Sequence, residues 1–157
     1  MATPDFILEL RRHIGHAPLW LSGVTAVVMD PQRTSVLLVR RADTGAWTPV
    51  TGIIDPGEEP AAAGGREVEE EAGVLARPVR LVDVRTLPLI TYENGDQAQY
   101  LDLCFLFEHV SGDPHPADGE NTHARWFDLE ELPELSPRFQ EQIACARAGG
   151  PAAEFRV

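Results

Sequence analysis

The chain contains no lysine: all 13 of its basic residues are arginine, set against 25 acidic residues for a formal net charge of −12. That absence removes both the phosphate-cradling lysine of a P-loop and any Schiff-base chemistry. There is also no basic stripe, which argues against a nucleic-acid backbone as partner. Cysteine is scarce. Cys104 lies in an apolar strand-like run and Cys145 in a helix-like one, a spacing that suits neither a metal site nor a disulfide framework, so both read as reduced core thiols. No apolar run approaches the roughly 20 residues needed to span a bilayer. The first residues intersperse Asp5, Glu9, Arg11 and Arg12 with short apolar positions, unlike a secretory leader. The expectation is a cytoplasmic protein that neither crosses nor binds a membrane.

What is present is a chain of 157 residues, 43% hydrophobic and 24% charged, enough for one domain over residues 1–157 with a sizeable core. Phe6, Ile7, Leu10 and Ile14 recur with helical spacing and predict an N-terminal helix over about residues 3–16, ending before Pro18. Its apolar stripe, together with Trp20, suggests a homodimer contact. Trp20–Met29 reads as a buried strand, Asp30–Arg33 as a turn and Ser35–Arg40 as the hairpin partner. Trp47–Val50 reads as a short strand. Val79–Thr91 and Gln97–His109 are long strand-like runs joined at Asn94-Gly95, the signature of a type I′ turn. Ser111–Asn121 is a polar loop, Trp126-Phe127 a short strand, and residues 137–148 a last amphipathic helix before a Gly-Gly-Pro tail. This order predicts an α+β fold, an α/β/α sandwich with helices covering a mixed sheet.

Gly52–Val74 breaks local rules. A glycine-rich loop runs through Pro60 into a helix of about three turns closed by Gly73. Ala61, Gly64, Gly65, Val68 and Ala72 form a small-residue stripe, and Glu67, Glu70 and Glu71 share another face. Like charges at i and i+4 and carboxylates in the last turn each oppose helix formation, and each internal glycine costs about 1 kcal/mol relative to alanine. Convergent carboxylates without basic partners are what a hard divalent cation requires, Mg²⁺ first.

The same stretch resembles the Nudix box, Gly-x5-Glu-x7-Arg-Glu-U-x-Glu-Glu-x-Gly-U with U a bulky aliphatic residue. All nine specified positions match: Gly52, Glu58, Arg66, Glu67, Val68, Glu70, Glu71, Gly73 and Val74. One departure is Thr51, where many members have a second glycine. The resemblance implies a sandwich of the kind deduced above. It also implies hydrolysis, with Mg²⁺ or Mn²⁺, of a small nucleotide-derived substrate, a nucleoside diphosphate linked to another moiety. A housecleaning nucleoside triphosphate pyrophosphohydrolase and a non-catalytic nucleotide-binding module are the alternatives. Carried over by position, Glu67, Glu70, Glu71 and the Gly52 carbonyl hold the metal, one glutamate acts as base, and Arg66 pairs with Glu58 to support the site. A late-loop acid, Glu120 or else Asp118, joins them. For the substrate, Arg41 can meet a phosphate, Trp47, Tyr92 or Tyr100 can stack on a base, and Asp96 can accept a sugar hydroxyl. The acidic loops tilt the choice toward ADP-ribose or a nucleotide sugar over a triphosphate.

Overall fold

A computed structural model describes residues 3–157. In chain order the elements are α1 (Asp5–Ile14), β1 (Leu19–Met29), β2 (Ser35–Arg41), β3 (Trp47–Thr48), β4 (Val50–Ile53), α2 (Pro60–Ala72), β5 (Leu75–Thr86), β6 (Ile90–Thr91), β7 (Gln97–Ser111), β8 (Asn121–Asp128), α3 (Pro137–Ala148) and β9 (Glu154–Phe155). The strands form one mixed sheet between helices, the α+β sandwich expected. Among the described residues no helix is long and apolar enough to cross a membrane.

β1 is the axis of the sheet because it is apolar on both faces, as a strand covered on both sides must be. It runs parallel to β7 from Leu19–Ala98 to Met29–Glu108, and antiparallel to β4 from Gly23–Ile53 to Ala26–Val50. Its alternating side chains sort into two cores. Ala26 and Val28 pack with Val68 and Ala72 of α2, whereas Val27 and Met29 pack with Phe139, Ile143 and Ala146 of α3. α1 inserts Ile7 against Leu21 and Ala98, on the α3 side. Trp20 points to the opposite face from Leu19 and Leu21 and is exposed, as are Leu10 and Ile14, so the proposed dimer stripe does not form one surface with it.

Several expectations need correction. The β1–β2 hairpin touches only at Met29–Val36; β2 instead pairs along its length with β8, because β4 and β7 already flank β1. β8 spans eight residues, not two, since its first half is polar and carries no hydrophobic alternation. The long strand expected over Val79–Thr91 begins at Leu75 and breaks after Thr86. The turn at Asn94-Gly95 is not type I′, which needs two positive φ values: only Gly95 has one, at 88°. Its N–H donates to Tyr92 O at 2.9 Å and Tyr92 N to Asp96 O at 2.8 Å, a three-residue connection. The tail after Gly150 is not structureless either, as β9 adds to β5 in parallel, Asp83 with Glu154.

Beneath α3 lies a buried polar network that hydrophobic patterning does not reveal. Gln142 Nε2 donates to Asp102 at 2.7 Å and Asp83 at 3.2 Å, and Thr25 donates to Asp102 at 2.8 Å. Arg85 and Arg156 contact Asp83 at 2.5 and 2.8 Å, and Arg138 lies 3.4 Å from Asp102. Cys104 is buried beside this network, and burial pushes its thiol pKa up; Cys145 is half-buried.

Candidate active site

α2 begins at Pro60, whose missing N–H costs nothing in a first turn, and ends at Gly73 in the left-handed conformation with φ 67°. Its last carbonyls are capped from the loop beyond β7: His115 N donates to Ala72 O at 3.0 Å and Ala117 N to Glu71 O at 3.2 Å. Gly64 allows the helix to lie on the sheet, since a Cβ there would sit 2.7 Å from Phe107 Cζ. Gly65 has no such constraint, its nearest neighbour being 3.8 Å away. The buried face differs from the stripe expected: Ala63 replaces Ala61, Gly65 is only partly covered, and Glu67 and Glu71 are themselves buried. Glu70 is the exposed member of the acidic trio, its side chain 51% accessible.

The pairing of Arg66 with Glu58 forms as a two-pronged contact, Nε to Oε1 at 2.9 Å and Nη2 to Oε2 at 3.0 Å. The hydrogen bonds from Arg66 hold Glu58 below its ordinary pKa. Nη2 also reaches Ile53 O at 3.3 Å, which ties the helix to the glycine-rich loop. The remaining nitrogen, Nη1, serves Glu67 at 2.9 Å and Glu70 at 3.2 Å. Glu71 instead accepts from Asn121 Nδ2 at 3.0 Å.

Burial pushes the Glu67 pKa up to about 7, Arg66 only partly opposing it. Glu71 is raised to about 7 for the same reason, with Asn121 opposing and the charge of Asp118 adding to the rise. Glu67 Oε2 is buried with no hydrogen-bond partner. An orphaned carboxylate oxygen of this kind is costly unless something further completes it. Gly52 lies directly against that carboxylate, and a Cβ at position 52 would overlap it. Among the described residues no three His, Cys, Asp or Glu side chains stand ready-made as a metal cage, because Arg66 and Asn121 hold the glutamates in separate contacts. The donor set nevertheless fits a divalent cation: all oxygen, net negative, and short of one partner at Glu67.

The other site residues are dispersed. Arg41 lies close enough to Glu71 and Tyr92 for their charges to raise its pKa, after the larger effect of its hydrogen bonds to Asp43. Tyr92 shares a hydroxyl contact of 2.9 Å with Tyr100, and Tyr100 and the Gly52 carbonyl both lie beside Gly23. Asp96 faces the end of α1, 2.8 Å from His16 Nδ1 and 3.5 Å from Arg11. Trp47 packs edge-on to Phe127, with Arg125 over its ring at 5.0 Å, against the core on the α3 side. Glu120 accepts from Ala42 N through its backbone carbonyl at 2.9 Å, and Thr51 continues the ladder opposite Thr25. Sequence reasoning missed Asn121, because a lone polar residue at a loop end carries no periodic signal.

Comparison with known proteins supplies the remaining evidence. A NUDIX domain model matches residues 20–146. The NAD-capped RNA hydrolase NudC of Deinococcus radiodurans is 35% identical over 108 residues, covering 68% of this chain and 36% of that protein. The 8-oxo-dGDP phosphatase NUDT18 of Mus musculus is 32% identical over 136 residues, 83% of this chain and 37% of its own length. The chain thus spans well under half of these curated relatives. A NUDIX hydrolase from Nitrosomonas europaea superposes with a TM-score of 0.66 at 28% identity, covering 83% of this chain and 90% of the other. The family generally uses divalent metal ions and acts on small nucleotide-derived substrates. With the complete box running from β4 through α2 and the fold around it, the chain belongs to the Nudix hydrolase family.

Proposed function

We propose that this chain hydrolyses a diphosphate bond in a nucleoside diphosphate linked to another moiety, of ADP-ribose or nucleotide-sugar type, with Mg²⁺ and secondarily Mn²⁺. The observation that carries this reading is the buried, unpartnered Oε2 of Glu67, on a carboxylate group packed against Gly52. Glu67, Glu70, Glu71 and the Gly52 carbonyl hold the cation, with Asp118 or Glu120 contributing from the loop beyond β7. A bound cation neutralises phosphate oxygens and lowers the pKa of the attacking water. Arg66, fixed by Glu58, keeps the carboxylates in register, and Glu67 or Glu70 takes the proton from that water. Glu70, half exposed, needs only a side-chain rotation to leave Arg66.

Arg41, which feels the charges of both Glu71 and Tyr92, receives the far phosphate, and Tyr92 the base. The name of the Deinococcus relative, an NAD-capped RNA hydrolase, supports a diphosphate joined to two nucleosides as substrate class. That of the mouse relative, an 8-oxo-dGDP phosphatase, keeps an oxidised nucleotide in view. Residues 1–157 act as one domain in this reading, since α1 packs on the sheet and β9 adds to its edge. Two free thiols suit the cytoplasm. Exposed Leu10 and Ile14 on α1, with half-buried Phe6 on the same face, offer a homodimer contact, which light scattering at several concentrations checks.

The test is a panel of NTPs, dNTPs, 8-oxo-dGDP, ADP-ribose, nucleotide sugars, dinucleotides and dinucleoside polyphosphates with Mg²⁺ and then Mn²⁺, with products read by chromatography. Turnover is expected for a nucleoside diphosphate linked to a second moiety. A triphosphate releasing pyrophosphate and preferred by more than about tenfold in kcat/KM overturns the substrate class.

A further inference from the structure

We propose that Asn121 is a positioning residue for Glu71, and that the bulge between β2 and β8 serves to present it. The inference rests on the reading of Glu71 as a metal ligand.

The ladder of β8 on β2 runs in step from Asp128–Ser35 to His123–Arg40, and then slips: the next partner of Arg41 is Asn121, not Thr122. Ala124 and Trp126 pack toward α2, whereas Phe127 packs toward α3. In an unbroken strand Asn121, being odd-numbered, would follow Phe127 and point away from α2. The extra residue, Thr122, reverses that. Asn121 turns to the α2 side, is buried, and places its amide nitrogen 3.0 Å from Glu71 Oε2. Re-aiming a side chain is a recognised use of a bulge beside a site.

The same segment holds the main chain of Glu71, whose carbonyl accepts from Ala117 N at 3.2 Å. Side chain and backbone of this one glutamate are therefore both fixed by the stretch 115–121. The choice of donor is chemically pointed. An arginine here would neutralise the carboxylate and compete with a cation, whereas a neutral amide fixes one oxygen and leaves the negative charge to attract the metal. An aspartate would add a like charge beside Glu71.

The test uses the full chain and two readouts, Mn²⁺ affinity without substrate, by titration calorimetry or electron paramagnetic resonance, and steady-state kinetics. Asn121→Leu is expected to weaken Mn²⁺ binding by roughly 10–100-fold and to lower kcat with little change in KM. Asn121→Ser, which keeps a small donor, is expected to fall between Asn121→Leu and the unaltered chain, and it serves if the leucine variant does not fold. Asn121→Leu combined with Glu71→Gln is expected to lose no more Mn²⁺ affinity than Glu71→Gln alone. Undiminished Mn²⁺ affinity in folded Asn121→Leu or Asn121→Ser, or fully additive losses in the double variant, overturns the role of Asn121 while leaving the metal reading standing. An unaltered chain that binds no Mn²⁺ overturns both.

Discussion

Two pairs of buried acids lie on opposite faces of one sheet and are treated in opposite ways. Under α3, Asp83 and Asp102 are met by Arg85, Arg138 and Arg156 and by the amide of Gln142. Burial alone would raise Asp83, but hydrogen bonds from Arg85, Arg156 and Gln142 outweigh it and hold its pKa below the usual range. Under α2, Glu67 and Glu71 share a fraction of one arginine and one neutral amide, and burial wins: both rise to about 7. The first pair is met by three arginines, whereas the second is left short of positive charge. Burial of an acid is thus no sign of function; what marks a site is burial without compensation.

The largest difference is expected from isosteric loss of charge. Glu67→Gln should lower turnover by about 100-fold or more if Glu67 holds the cation as proposed, while the metal-free chain gains stability. Asp83→Asn should do the reverse, leaving turnover near that of the unaltered chain and costing about 3–5 kcal/mol by removing the carboxylate that meets largely buried Arg85. Kinetics and urea unfolding of both variants check this, and a collapse of kcat in folded Asp83→Asn would erase the distinction between the faces.

The pH dependence of stability sharpens it further. Glu67 and Glu71 have folded pKa values near 7, above the ordinary 4.5, so their contribution is fullest below 4.5 and is lost as pH rises through about 7. Asp83, held below 3.8, contributes stability that is present above that value and lost as pH falls through its folded pKa. The metal-free chain should therefore melt highest near pH 5, lower at pH 8 and lower again toward pH 3. Saturating Mg²⁺ should restore the midpoint at pH 8, by about 2.7 kcal/mol at 100 times Kd. Melting curves in EDTA that stay flat from pH 5 to 8 would count against uncompensated charge under α2.

The smallest effects separate two adjacent glycines of α2. Gly64→Ala forces a methyl to 2.7 Å from Phe107 and should cost about 1–3 kcal/mol, whereas Gly65→Ala meets nothing closer than 3.8 Å and should stabilise by up to about 1 kcal/mol. Thermal melts of the two single variants decide it.

Much of the α2 side was legible in the sequence because it is local. Pro60, Gly73 and Arg66 with Glu58 all lie within one stretch whose spacing fixes their geometry. The layered α+β class followed from element order. The α3 side was not legible, since Asp83, Asp102 and Gln142 come from three separate elements and Arg156 from the tail after β9, and only tertiary contact unites them. Asn121 was hidden for a related reason: its orientation depends on a register slip against β2, which no one-strand pattern records. The assumption that neighbouring strands pair misled the β1–β2 hairpin, where a parallel partner from far along the chain takes precedence.

That long-range pairing has a consequence for how the chain is made. The ladder joins Leu19 to Ala98 and Met29 to Glu108, so β1 has no partner on that side until about 80 further residues have been synthesised. At a ribosomal rate of about 5–20 residues per second, a strand apolar on both faces waits for roughly 4–16 s, covered in the meantime by α1 at its start, β2 at its end, and β4 and α2 in between. The helix that bears the glutamates therefore shelters the central strand during synthesis, and a weakened α2 would be felt first as poor yield of folded protein, before any loss of turnover.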